Sequence, residues 1–238
     1  MPASSSNIVQ RAFRRALRLL PGGEKLHTRI VFDEIYREGR WGRDGDDGFN
    51  SGSGSHRDDI VVPYVTAVSA FLDELGTRAS VLDLGCGDFN VGRQIRPHCD
   101  RYIACDIVDA LIERNRQRFG DLDVEFRCLD LVSDPWPKAE VVFIRQVLQH
   151  LNNKQIAQVI RKLPVYRHVV VTEHIPADDN FTPNGDKTTG EHIRMQHRPP
   201  SGVVLHAPPF ELGALEQRVL CSVAADGGLV QTTLYRFA

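Results

Sequence analysis

Two aspartates that close consecutive apolar runs, with a glycine-rich turn beside the first, are the residues of this chain best suited to hold a ligand. The stretch VLDLGCGDFN, Val81 to Asn90, reads as a buried strand carrying Asp83. After it, Gly85 and Gly87 permit a sharp turn and a close approach of the backbone to a bound group. The next run, YIACDI, carries Asp106, whose carboxylate can accept hydrogen bonds from ribose hydroxyls. The chemistry implied is recognition of a nucleoside-bearing cofactor. A dinucleotide fits poorly, because its fingerprint needs a third glycine where Asn90 stands and because Asp88 would repel a pyrophosphate. An acidic group there suits a cofactor with a cationic amino-acid end.

Two more groups of chemistry-bearing residues fall where later strands end. The segment IRQVLQHL, Ile144 to Leu151, puts Arg145, Gln146 and His150 after the fourth strand, at the carboxyl edge where open α/β sheets bind ligands. His150 is placed to take a proton from an alcohol; the same position suits a structural histidine that pins its loop. The fifth strand ends in TEH, with Thr172, Glu173 and His174. Glu173 could orient a hydroxyl, act as base or, with Asp178 or Asp179, bind a divalent cation such as Mg, and a solvated acidic loop would read the same way. Residues 177 to 209 are too long for an ordinary connection. They carry Asn184, Gly185, Asp186, Lys187, His192, Arg194 and His197, a polar set expected to form a wall beside a hydroxylated substrate.

Alternating elements must position these groups. Strands are expected at 81 to 85, 102 to 107, 124 to 130, 141 to 145 and 168 to 174, with helices near 91 to 97, 109 to 118 and 153 to 163, the last ended by Pro164. RVLCSVAA and LVQTTLYRF flank Asp226-Gly227-Gly228, a hairpin signal. The fold class is therefore α/β, a Rossmann-like doubly wound sheet of about seven strands closed by an antiparallel C-terminal hairpin, with N-terminal helices and a lid. Upstream, Ile8 to Leu20 reads as a helix with Arg11, Arg14, Arg15 and Arg18 on one face, either solvated or set against an anionic surface. Thr28 to Glu38 reads as a second helix and Ile60 to Leu75 as a third. Between these last two lies GRDGDDGFNSGSGSHRDD, where Trp41 beside the loop and Phe49 within it are costly to leave in water, so a lid over the cofactor is expected in preference to a plain linker. The division that follows is residues 1–58, helices and lid, and residues 59–238, catalytic domain.

Composition narrows the partners. With 238 residues, 42% of them hydrophobic, the chain can bury a full core, and a formal charge of -2 gives no basic surface for nucleic acid. The five cysteines lack CxxC spacing and suit reduced thiols, no apolar run is long enough to span a bilayer, and the first residues lack a signal-peptide pattern. A cytoplasmic protein is expected, and a homodimer is compatible with the sequence.

Taken together, LDLGCGD, Asp106 and CLDL at 128 to 131 resemble the class I S-adenosylmethionine-dependent methyltransferases. The resemblance implies S-adenosyl-L-methionine as cofactor, held by Asp83, Gly85, Cys86, Gly87, Asp106 and Ile107, with Asp130 and Leu131 at the adenine. The wider pattern of WG, SGSGS, LDLGCGDFN, IRQVLQHL and an NG/TG/PPF region is similar to small sugar and glycan O-methyltransferases. That adds Trp41, Ser53, Gly54, Ser55, Arg145 and Gln146 to the cofactor set, with His150 and Glu173 as catalytic candidates. Gln146 departs from the pattern, which often has aspartate there. The expected activity is methyl transfer to a hydroxyl of a sugar or oligosaccharide precursor. Methylation of a small natural product, a noncatalytic cofactor-binding scaffold and an NAD-dependent oxidoreductase are the alternatives, the last opposed by Asn90.

Overall fold

A computed structural model describes residues 22–43 and 48–238; the helix expected at Ile8 to Leu20 lies outside them. Seven strands form one sheet: β1 (Val81–Leu84), β2 (Tyr102–Asp106), β3 (Val124–Cys128), β4 (Val141–Arg145), β5 (His168–Pro176), β6 (Glu216–Ala225) and β7 (Gly228–Arg236), in the order β3-β2-β1-β4-β5-β7-β6. β1 to β5 are parallel and β7 runs antiparallel to both β5 and β6. This is the doubly wound sheet with a closing hairpin that the sequence predicts. The hairpin turns on Asp226 and Gly227, with φ of 45° and 78°, the paired positive values that match the twist of the flanking strands.

Because successive strand residues face opposite sides, the sheet sorts its side chains into two cores. Leu82, Leu84, Val142, Ile144, Val169 and Val171 face one layer, while Val81, Ala104, Val141, Phe143 and Val170 face the other. The first layer is covered by α1 (Gly23–Glu38) and α5 (Asn153–Ile160), the second by α2 (Asp58–Glu74) and Ile112 of α4 (Asp109–Arg118). No described helix is long and apolar enough to cross a membrane.

Several boundaries depart from expectation for local reasons. α1 begins at Gly23, not Thr28, because Gly22 in the left-handed region starts the helix and Glu24 favours its first turn. It ends in a Schellman motif: the N–H of Gly39 (φ 65°) donates to the Tyr36 carbonyl and that of Arg40 to the Ile35 carbonyl. β3 stops at Cys128, two residues short of expectation, and the chain turns on Asp130, which accepts the Val132 N–H at 2.9 Å. The helix after β1 is only α3 (Gly92–Ile95), followed by a 3₁₀ turn containing Pro97. α5 ends at Ile160, short of the 3₁₀ turn around Pro164. β5 runs to Pro176 because β7 pairs with it beyond the end of β4.

Candidate active site

At the carboxyl edge of the sheet a cavity of about 570 Å³ opens between the ends of β1, β2 and β4. Every residue expected to hold the cofactor lines it: Trp41, Ser53, Gly54, Ser55, Asp83, Gly85, Cys86, Gly87, Asp106, Ile107, Asp130, Leu131, Arg145 and Gln146. So does His150; Glu173 does not.

The floor is built by the turn after β1. The N–H groups of Gly85 and Cys86 both donate to the Cys105 carbonyl, at 2.8 and 2.9 Å, holding the turn against β2. Gly85 and Gly87 have φ of 79° and 56°; a Cβ on the first would strike Val147 and on the second Ser51. Cys86 is a packed thiol, its pKa raised well above the ordinary value by burial. Asp106 accepts the N–H groups of Gly87 at 3.2 Å and Val108 at 3.1 Å, and burial pushes its carboxyl up to about 6. Asp83 accepts the Tyr102 hydroxyl at 2.9 Å, and burial pushes it up to about 7. Asp130 accepts the Val132 N–H and the Ser133 hydroxyl, so its carboxylate closes its own turn while one side borders the cavity.

The guanidinium of Arg145 lies 4.8 Å from the Tyr64 ring centre and donates to the Gly54 carbonyl at 2.6 Å and Ser55 Oγ at 3.3 Å. Its buried Nε has no partner. Gln146 follows with φ of 56° and donates its N–H to the Thr172 carbonyl at 2.7 Å, bending the chain out of β4. One end of the cavity thus combines the Arg145 cation with the two buried carboxyls of Asp83 and Asp106.

Residues 48–57 form a strap over the turn after β1. The Asp88 carboxylate accepts the Ser51 N–H at 2.7 Å and lies 2.6 Å from His56 Nε2; the Asp88 N–H donates back to Ser51 Oγ at 2.8 Å. Asn90 adds a bond to the Ser55 carbonyl at 2.7 Å. Asp88, expected to face a cationic ligand group, is therefore committed mainly to the strap. The SGSGS run and Asp88 were singled out from the sequence, but their pairing with each other was not.

His150 sits on a 3₁₀ turn, Leu148–His150, its ring 4.8 Å from that of Trp41 and edge-on to Phe32 at 6.4 Å. The Gly190 carbonyl, 3.1 Å from Nδ1, requires a proton there and leaves Nε2 as the acceptor. Burial, reinforced by the Lys187 charge, lowers its pKa to about 3. Glu173 is buried, its two oxygens taken by the Leu148 and Gln149 N–H groups, and burial raises its pKa to about 8. Asp178 and Asp179 are exposed, and among the described residues no group of three or more His, Cys, Asp or Glu is placed to hold a metal.

The segment expected to form the substrate-side wall does border the cavity, but through Glu191, Ile193, Met195 and Gln196, not through the seven polar residues singled out from sequence. Asn184 is buried within the wall, accepting the Val204 N–H and donating to the carbonyls of Val204 and Pro208, while His192 is exposed. Arg40, set by the Schellman turn, pairs with Glu191 at 2.8 Å across the cavity rim.

The Tyr102–Asp83 bond gives a pH-dependent expectation. Asp83 is raised in the fold, so its favourable contribution is present below its unfolded pKa and lost as pH rises through about 7. Tyr102→Phe removes the donor that most favours the ionised form. Its stability deficit in urea unfolding should be about 1 kcal/mol at pH 5.5 and about 2–3 kcal/mol at pH 8.5; an equal deficit at both would mean that Asp83 does not ionise in the fold.

Residues 81–168 match a family model described as a methyltransferase domain. No curated protein matches the chain significantly. Among solved structures, N-methyltransferase NodS from Bradyrhizobium japonicum WM9 with S-adenosyl-L-homocysteine superposes with a TM-score of 0.58 at 14% identity, covering 86% of this chain and 98% of that one. Magnesium protoporphyrin IX methyltransferase (ChlM) from Synechocystis PCC 6803 with bound SAM gives 0.56 at 17% identity, over 89% and 97%. The N-terminal domain of EvdMO1, in the presence of SAH and D-fucose, gives 0.53 at 16% identity, over 86% and 96%. Residues 81–168, from β1 into β5, are thus a methyltransferase domain, and the sheet closed by its antiparallel hairpin has the fold of solved S-adenosylmethionine-dependent methyltransferases.

Proposed function

We propose that the enzyme methylates a hydroxyl of a sugar or oligosaccharide precursor, and that this takes place in the cavity at the sheet edge. The observation that carries the reading is the division of that cavity into a charged end and an amphipathic end. At the charged end, the guanidinium of Arg145 suits the carboxylate of S-adenosylmethionine, Asp83 its ammonium group and Asp106 its ribose hydroxyls. At the other, Phe32, Trp41, Ile193 and Met195 offer apolar surface beside Thr28, Gln149, His150 and the Arg40–Glu191 pair. A sugar ring presents that combination, apolar C–H faces and a polar edge. Support of a general kind comes from the similar fold of EvdMO1, studied in the presence of D-fucose. A planar natural product is the second reading, favoured by the same Phe32, Trp41 and Met195. The cytoplasmic setting expected from the cysteines belongs to this proposal.

When bound, S-adenosylmethionine supplies a methyl group already activated by its sulfonium. The protein's task is to align an acceptor oxygen and receive its proton. His150 Nε2, held as the lone-pair side of the ring, is the group that receives it. A base as weak as this suffices, because the hydroxyl becomes strongly acidic as the new carbon–oxygen bond forms. Glu173, with both oxygens on backbone N–H groups, supports the turn and does not reach the acceptor.

The reading is tested at the cofactor, at the strap and at the acceptor. Asp106→Ala should weaken S-adenosylhomocysteine binding by about 2–4 kcal/mol in calorimetry, and wild-type affinity should fall as pH drops through the range of about 7 to 6 where Asp83 and Asp106 take up protons. The ligand should slow hydrogen exchange at residues 48–57, since a strap fixed by Asp88 tightens when the cavity below it fills; unchanged exchange would reduce it to a linker. With methyl-labelled cofactor and a panel of free sugars, glycosides and oligosaccharides, the labelled product should be an ether. His150→Ala should then lower kcat by about 100- to 10,000-fold with cofactor affinity retained. Wild-type kcat should show no inflection near pH 6.5, because His150 stays neutral down to about 3.

A further inference from the structure

Arg194 is 1% exposed and stands outside the chemistry described so far. Its Nη1 donates to the carbonyls of Leu148 and Gln149, at 3.3 and 3.2 Å; its Nη2 donates to the Leu151 carbonyl at 2.9 Å and Asn153 Oδ1 at 2.8 Å; its Nε donates to the Gly185 carbonyl at 2.8 Å. Glu173 takes the N–H groups of the same turn, Leu148 at 3.0 Å and Gln149 at 2.9 Å. The remaining groups are also placed. The N–H groups of His150 and Leu151 close on the carbonyls of Val147 and Leu148, and the His150 carbonyl accepts from Gly190 N–H and Lys187 Nζ. Every backbone polar group from Leu148 to Leu151 is thus paired, with a guanidinium on the carbonyl side and a buried carboxyl group on the amide side.

Arg194 also opens the short 3₁₀ turn whose next residues, Met195 and Gln196, line the acceptor end of the cavity. The acceptor wall and the turn bearing His150 are therefore joined through one planar fork. A lysine there would keep the charge and lose the fork, since an ammonium cannot reach this spread of carbonyls from fixed, coplanar positions.

We propose that Arg194 is a positioning residue: with Glu173 it clamps the Leu148–Leu151 turn and fixes the imidazole of His150 against the acceptor end of the cavity. The proposal rests on the reading of His150 as the proton acceptor.

The test is Arg194→Lys in the full chain, with S-adenosylhomocysteine as the binding probe. The charges that lower the pKa of His150 are Lys187 and Arg194, Glu191 is paired with Arg40, and Glu173 holds the turn's amides. Because Arg194→Lys leaves all of these charges in place, a change at His150 reports geometry. The variant should bind S-adenosylhomocysteine within about twofold of wild type, since no cofactor contact is assigned to Arg194. In spectra of ¹⁵N-histidine-labelled protein, His150 should lose its fixed Nδ1–H form and titrate nearer the ordinary histidine value of about 6.5. With the hydroxylated acceptor found on the panel, kcat should fall by about 100-fold, the scale of a misplacement near 1 Å, while KM for S-adenosylmethionine holds. An unchanged His150 spectrum would overturn the proposal, as would a changed spectrum with wild-type kcat. Should Arg194→Lys fail to fold, Glu173→Gln removes the opposite jaw with little change of size, and the same His150 signature is expected; its absence would overturn the proposal equally. If wild type methylates no hydroxylated acceptor, the proposed function fails, and the His150 spectrum still decides the clamp.

Discussion

Backbone N–H groups buried where parallel strands end have no neighbouring strand to receive them, and this chain gives them to carboxylates. Asp106 takes those of Gly87 and Val108, Asp130 that of Val132, Asp88 those of Ser51 and Asn90, and Glu173 those of Leu148 and Gln149. An unmet buried donor costs about 1–3 kcal/mol, so each acid is first a structural requirement of its crossover. The functional consequence comes from how many acceptor positions remain. Asp106 borders the cavity and keeps lone pairs for a ligand, whereas Glu173 is turned wholly inward. The same type of residue at the ends of neighbouring strands is thus left facing the cavity in one place and turned into the fold in another.

This distinction explains what could be read from the sequence. Strands β1, β2, β4 and β5 are buried on both faces and so appear as continuous apolar runs, and the acids that end or interrupt them fall at a predictable edge. Gly85, Gly87 and Asp106 were legible for that reason. Glu173 read as a hydroxyl-orienting group, base or metal ligand, but its partners lie 24 and 25 positions away, on a turn whose path no local pattern fixes. The segment of residues 177–209 does border the cavity, but with other side chains than those singled out: polar ones such as Asn184 and Arg194 turn inward to satisfy loop carbonyls, which leaves Ile193 and Met195 to face the cavity. In a long loop without a ladder, polar residues are needed inside.

The N-terminal helix completes the site from a distance. α1 packs Val31, Phe32, Ile35 and Tyr36 into the same core as Leu82 and Leu84, and its left-handed C-terminal cap then delivers Arg40 and Trp41 to the cavity. Tyr36 reaches Ser51 at 3.0 Å, so helix, strap and glycine turn share one hydrogen-bonded junction. Residues that read as helix core from their spacing therefore also set the roof of the cavity.

For His150 in its proposed role as proton acceptor, the dryness around it has a consequence for the return half of the cycle. An imidazole whose conjugate acid has a pKa of about 3 is a poor place for a proton to rest. Once charged, the ring would be far more acidic than an ordinary imidazolium, and it would release the proton to bulk solvent as the site opens for product to leave. The resting tautomer, with Nδ1–H on the Gly190 carbonyl, is then restored without any rotation of the ring. In that proposed role desolvation makes the site self-clearing: enclosure by Trp41 and Phe32 keeps the imidazolium too acidic to hold its proton, so no relay of ionisable side chains is needed to remove it.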